Sequence, residues 1–192
     1  MLEWSEKFAT KIGVVDKQHR QIFELINELS QCCQENTADA KTVANALISL
    51  NEYSHKHFIA EEAFMVKMKL DERHIKAHRM EHRSFMYDVE SLSVYADTPE
   101  SLIEATEKLV VFTTNWWCYH ILGIDRTMAK QLFALKRGKS SAEAYEASHN
   151  IKYDNSVMHL MLDSTLQLWR STTERCHLLE KKLASIGKNN NS

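Results

Sequence analysis

The sequence predicts an all-α protein: an up-down-up-down four-helix bundle with an N-terminal arm and a C-terminal helical extension. Three observations carry this. Only 4 Gly and 1 Pro occur in 192 residues, too little turn chemistry for a set of strands. Apolar residues recur at helical spacing in four long stretches, and no stretch alternates with period two. Loops of a few residues separate the stretches, which makes consecutive helices antiparallel neighbours. With 44% hydrophobic and 26% charged residues, the chain has the balance of a globular protein with a sizeable core.

Residues 1–15 carry Trp4, Phe8, Ile12, Val14 and Val15 without helical period, which predicts an extended arm packed on the domain. Asp16 reads as the N-cap of the first helix. Its inward stripe, Ile22, Phe23, Leu25, Ile26 and Leu29, has His19 on the same face. Asn36-Thr37-Ala38-Asp39 is a turn. The second helix spans about 41–69, and its stripe includes Leu50, His57, Phe58, Glu61 and Met65. His57 and Glu61, four apart, share one face, while His55 falls off it and is read as exposed.

Asp71-Glu72 opens the third helix, reaching about Tyr95, with His74, His78 and His82 at spacing four. Phe85, Val89 and Leu92 continue the stripe of the last two. His78 and His82 are therefore read as inward, and His74, in the first turn, as exposed. Thr98 caps the fourth helix, with Pro99 as its first residue. Its apolar face runs through Leu109, Phe112, Trp116 and Trp117 to His120. Asp125 follows five residues later, rotated by about 140° on a regular helix. It joins His120 only if the helix loosens, which Gly123 permits.

Lys136-Arg137-Gly138 closes the bundle, giving a domain over 1–136. Residues 137–155 are polar and read as a weakly structured linker. Residues 156–192 form a C-terminal helix on which Met158, Leu162, Thr165, Trp169, Thr172, Cys176, Leu179, Leu183 and Ile186 alternate at four and three. Two readings stand open: a fifth helix packed on the bundle, or a coiled coil forming a homodimer through 156–186.

Net charge is −2, with no basic excess for nucleic acid. No apolar run resembles a signal-peptide core or spans a membrane, and Cys32, Cys33, Cys118 and Cys176 show no framework spacing. The expected location is the cytoplasm, with reduced thiols. The outlying number is 10 His. The inward polar set is His19, His57, Glu61, His78, His82, His120 and Asp125, drawn from all four helices. Burying them without a metal leaves many polar groups unpaired, at a few kcal/mol each. A zinc ion takes about four ligands, whereas mixed imidazole and carboxylate ligation suits iron, and two carboxylates can bridge two metals.

These residues resemble hemerythrin in its bacterial form. The matching stretches are Asp16-Lys17-Gln18-His19; His57-Phe58-Ile59-Ala60-Glu61-Glu62 followed by Met65; His78 through Phe85; and His120-Ile121-Leu122-Gly123-Ile124-Asp125. Trp4 and Gly13 fit the family's arm, and the resemblance covers about residues 1–136. One departure is the segment between Met65 and His78, which lacks the family's Tyr-Pro turn. The resemblance implies two iron ions bridged by an oxo or hydroxo group. His78, His82 and His120 hold one; His19 and His57 hold the other and leave it an open position for O2; Glu61 and Asp125 bridge both. Ile22, Phe58, Trp116, Trp117 and Ile121 are the expected O2-pocket residues, with Trp117 large for its position.

Bacterial hemerythrin domains occur fused to signalling outputs, including diguanylate cyclases with a GGDEF motif and methyl-accepting modules. No GGDEF motif occurs here. The resemblance thus implies an O2 or redox sensor controlling a C-terminal output domain absent from this chain, such as a diguanylate cyclase in c-di-GMP signalling. The alternatives are O2 storage or delivery and, ranked lower because this site is rich in histidine rather than carboxylate, a di-iron oxidase or peroxidase.

Overall fold

The computed structural model describes residues 2–34, 40–93, 99–149 and 152–189. Every regular element among them is helical: a 3₁₀ turn (Glu6–Phe8), α1 (Gly13–Gln34), α2 (Ala40–Lys67), α3 (Glu72–Ser93), α4 (Pro99–His120), a π-helical turn (Ile121–Asp125), α5 (Arg126–Lys136), α6 (Ser141–Ser148) and α7 (Asn155–Asn189). The first four helices pack in sequence order, α1 on α2 and α4, and α3 on α2 and α4, which is the expected bundle. The turn at Asn36–Asp39, the end of the third helix at Tyr95 and the cap at Thr98 lie outside the described residues. The core joins Ile22, Phe23, Ile26 and Leu29 of α1 to Leu50 and Phe58 of α2, Phe85 of α3 and Trp116 and Trp117 of α4.

The arm is docked as expected, by two hydrogen bonds between the Leu2 backbone and the Asn27 side chain, at 2.8 and 2.9 Å. Asp16 does a different job from the one its position suggests. Helix α1 begins a turn earlier, at Gly13, and the Asp16 carboxylate accepts from the Thr10 N–H (2.8 Å), the Thr10 hydroxyl (2.7 Å) and the Lys11 N–H (3.1 Å). It therefore ties the arm to the helix where Lys11 adopts a left-handed φ of 65°.

Between α2 and α3 the Tyr-Pro turn is replaced by a helix C-cap. Lys69 N–H bonds to Val66 O (3.0 Å) and Leu70 N–H to Met65 O (3.1 Å), with Lys69 at φ 58°. This is the Schellman arrangement, with lysine where glycine is usual. The buried Leu70 then packs in one cluster with Met65, so burial offsets the backbone cost.

The segment expected to be weakly structured holds α6. Its start is a capping box, in which Ser140 and Glu143 satisfy each other's backbone N–H groups. Arg73 of α3 stacks on Tyr145 at 3.9 Å and pairs with Glu146 at 2.8 Å.

Helix α7 packs on the bundle and lies along α4. The stripe it buries is not the seam read from the sequence. Val157 and Ser164 are buried, Met161 and Leu168 are half-buried against the core, and Arg175 pairs with Asp88 of α3 at 2.6 Å. The seam residues, Met158 through Ile186, are all exposed. The helix carries two apolar stripes, and the bundle takes the one that begins with Val157.

Candidate metal centre

All seven predicted residues are buried, none more than 2% exposed. His19 comes from α1, His57 and Glu61 from α2, His78 and His82 from α3. His120 ends α4, and Asp125 ends the π-turn. That turn is the loosening the sequence required. Bonds from i to i+5 bring residues five apart onto one face, so His120 Nε2 and Asp125 Oδ1 stand 3.2 Å apart.

The ligand atoms form two overlapping groups that share Glu61. Glu61, His78, His82 and His120 make one, and His19, His57 and Glu61 the other, each with its atoms within 4.8 Å of one another. Glu61 Oε2 lies 3.3 Å from His78 Nε2, 3.5 Å from His82 Nε2 and 3.6 Å from His57 Nε2. Asp125 reaches both groups with different oxygens, Oδ1 3.0 Å from His78 Nε2 and Oδ2 3.2 Å from His19 Nε2.

The fit to metal can be tested on these atoms. Nε2 of His120 lies 3.1 Å from that of His78 and 3.2 Å from that of His82. Three imidazole nitrogens at about 2.0–2.1 Å from one ion at right angles sit about 3.0 Å apart. Both oxygens of Glu61 and of Asp125, and Nε2 of His19 and His57, have no hydrogen-bond partner despite their close approach. Unpaired buried carboxylates and imidazoles aimed at common points cost several kcal/mol and are resolved by a bound cation.

The outward nitrogens explain why Nε2 points inward. His120 Nδ1 meets Glu81 Oε2 at 2.8 Å, His82 Nδ1 meets Glu62 Oε1 at 3.1 Å, and His57 Nδ1 meets Gln18 Oε1 at 3.0 Å. An Nδ1–H donated outward fixes the tautomer and leaves the Nε2 lone pair for a metal. His78 Nδ1 meets His74 Nε2 at 3.4 Å. His74 therefore corrects the expectation that it is exposed: it is buried, 3% exposed. The bundle end there is not wet, because the chain continues through the π-turn into α5. Met128 and Leu132 of α5 join Ile75, beside His74, in a second apolar cluster. His55 is exposed, as expected.

Gln18, Glu62, Glu81 and His74 are roles the sequence reading missed. Three of them adjoin a ligand in sequence, yet each serves a ligand on another helix, so adjacency alone did not mark them.

Electrostatics divide the site. Burial disfavours charge on His120, but Asp125 and Glu81 outweigh it and hold its pKa up at about 10. His78 is raised in the same way by the facing carboxylates of Asp125 and Glu61. Burial wins for His57 and His74, each pushed down to about 3. The facing histidines overcome burial for both Glu61 and Asp125 and hold them ionised.

Aromatic rings wall the site. Phe58 stacks on His82 at 4.0 Å, and Trp116 on His120 at 4.3 Å. Trp117 is fully buried, 5.5 Å from the His57 ring and 6.1 Å from the His19 ring, and its indole N–H has no partner. Ile22 and Ile121 are fully buried in the same core.

The model of the hemerythrin HHE cation binding domain matches residues 10–132, which contain all seven residues. The chain belongs to the hemerythrin family. Its relatives include the bacteriohemerythrin of Clostridium acetobutylicum, 26% identical over 128 residues, 66% of this chain and 97% of that protein. The bacteriohemerythrin of Stenotrophomonas maltophilia is 25% identical, covering 70% of this chain and 83% of the relative. A hemerythrin-like protein of Naegleria gruberi is 27% identical over 123 residues, 64% of this chain and 86% of that protein. Membership in the hemerythrin family implies non-haem iron, and the histidine and carboxylate donors are compatible with it. Helices α6 and α7 follow the matched segment. Among the described residues, no helix is long and apolar enough to cross a membrane.

Proposed function

We propose that this hemerythrin domain binds O2 at a non-haem di-iron centre in the cytoplasm and acts as an oxygen or redox sensor, with α7 as its transmitting element. His78, His82 and His120 would hold one iron, and His19 and His57 the other, leaving it an open position. Glu61 and Asp125 would bridge both, beside an oxo or hydroxo group. When bound, the iron pair supplies reversible electron transfer to O2. The protein's own part is to aim the nitrogens, hold both carboxylates ionised and exclude water behind Phe58, Trp116 and Trp117.

One observation favours sensing over storage: the C-terminal segment rests on the ligand-bearing turn. Tyr153 donates its hydroxyl hydrogen to Leu122 O at 3.0 Å, inside the π-turn. The Met161 side chain of α7 lies 3.8 Å from where a Cβ on Gly123 would sit. A shift of Asp125 or His120 on ligand binding therefore reaches α7 through direct contacts. The output would be a signalling partner such as a diguanylate cyclase in c-di-GMP signalling.

The test is iron content per chain, the visible spectrum before and after air, and hydrogen exchange along 153–175 in each state. Two irons, a charge-transfer band reversed by deoxygenation and state-dependent exchange in α7 are expected. Reversible binding with unchanged α7 would leave storage or delivery. A single zinc and no band would defeat the iron reading.

A further inference from the structure

We propose that the exposed seam of α7 pairs with the same seam of a second copy, parallel and in register, so that Cys176 of one chain faces Cys176 of the other. The proposal rests on the sensor reading only for its use, not for its existence.

Three observations carry it. First, the seam is built and then left open. Leu162 is 56% exposed, Trp169 68%, Leu183 70% and Ile186 56%, on a helix whose other stripe is already packed on α4. An apolar stripe at heptad spacing on a soluble helix is complementary to a copy of itself. Second, from Cys176 to Ile186 every side chain whose exposure is described is exposed, the seam residues Cys176, Leu179, Leu183 and Ile186 among them. Helical stability comes mainly from burying an apolar face, so the exposed seam residues gain from a partner along their whole length.

Third, the charges fit one orientation. With Leu162, Trp169, Cys176 and Leu183 at a, Arg175 falls at g and Glu180 at e. In a parallel pair, Arg175 stands beside Glu180 of the second copy, twice by symmetry; antiparallel pairing sets g beside g and e beside e and forfeits both. Arg175 remains a third exposed while it pairs with Asp88 of α3 at 2.6 Å. Thr165 and Thr172 at d make the seam weaker than one of Leu and Ile, which suits pairing that must respond to a signal.

Register gives the test. Residues at a face each other across the axis of a parallel pair, near enough for a disulfide. Cys176 is an exposed free thiol. The full-length chain is examined by sedimentation over a range of concentrations, then treated with diamide and mapped by mass spectrometry. The expected result is a reversible dimer and a Cys176–Cys176 peptide that Cys176→Ser abolishes. Trp169→Glu and Leu183→Glu should each weaken the dimer at least about tenfold. Both side chains are exposed in the single chain, so iron content and helicity should hold and show that the bundle is folded. A monomer at all concentrations, a dimer untouched by both substitutions, or a dimer without the Cys176 cross-link each overturns the proposal. A dimer indifferent to iron state defeats the sensor reading and leaves the pairing intact.

Discussion

Glu81 accepts a hydrogen bond from His120 Nδ1 at 2.8 Å, from a helix that also supplies His78 and His82 to the same cluster. Its carboxylate is 28% exposed, so it brings negative charge to the back of a fully buried imidazole. Glu62 does the same behind His82. His57 has only the neutral Gln18 behind it, and His19 Nδ1 has no hydrogen-bond partner. The two halves of the site therefore differ in the charge placed behind their imidazoles.

Glu81→Gln keeps an acceptor for Nδ1 and removes the charge. It should lower metal affinity about 10- to 100-fold and raise the reduction potential of the centre, with little change in fold. Competition with a chelator and redox titration measure both. Gln18→Glu should move the potential the opposite way.

Trp117 occupies the volume beside His57 and His19, the half with the open coordination position under the proposed assignment. Trp117→Leu should leave a cavity there and cost about 2–4 kcal/mol of stability. Azide entry and oxidation in air should both accelerate several-fold, read by stopped-flow absorbance. Unchanged rates would place the entry path elsewhere.

The metal-free protein should be least stable at both ends of the pH scale, for histidine reasons of opposite sign. His57 and His74 have folded pKa values near 3, below their ordinary 6.5 because of burial. The unfolded chain takes up these protons first, so stability should fall as pH drops from 6.5 toward 3, by a few kcal/mol for each group. His120, held up at about 10, contributes in the other sense. Its contribution is full below 6.5 and is lost as pH rises through 10. At neutral pH His120 carries a proton that a metal must displace, so iron uptake should release protons and tighten with rising pH. Denaturant melts across pH and a pH-stat during Fe(II) addition check these signs.

The bundle and the seven-residue cluster were legible in the sequence because both rest on period. Residues three and four apart share a helix face, and no long-range knowledge is needed to see that His57 and Glu61 point together. Asp125 was legible through a misfit: five residues from His120 is the wrong spacing for an α-helix, and Gly123 marks where the chain could accommodate it. What the sequence hid depends on how helices meet. His74 looked exposed because the reading ended the bundle at its first turn, whereas α5 covers that end. Asp16 carries the signature of a cap, but its carboxylate serves the arm. The nine-residue seam of α7 had the stronger heptad pattern, yet the bundle chose the stripe of Val157 and Ser164. Periodicity reveals that a helix has an apolar face; only packing decides which face is used.

Tyr153 is the residue on which the link between the site and α7 can be tested. Its hydroxyl donates to Leu122 O, a carbonyl inside the π-turn, and its ring lies 5.6 Å from the Arg126 guanidinium just after Asp125. Tyr153→Phe keeps the ring and removes one hydrogen bond, at a cost of about 1 kcal/mol. The seven ligand candidates are untouched, so iron content and the oxygenated spectrum should match the parent. If the turn speaks to α7 through this bond, the difference in hydrogen exchange along 153–175 between deoxygenated and oxygenated protein should shrink by at least half. A full difference in the variant would shift the coupling to Met161 against Gly123, where Gly123→Ala, with room for its methyl group 3.8 Å from Met161, is the companion measurement. Loss of iron would instead assign Tyr153 to holding the π-turn itself in place.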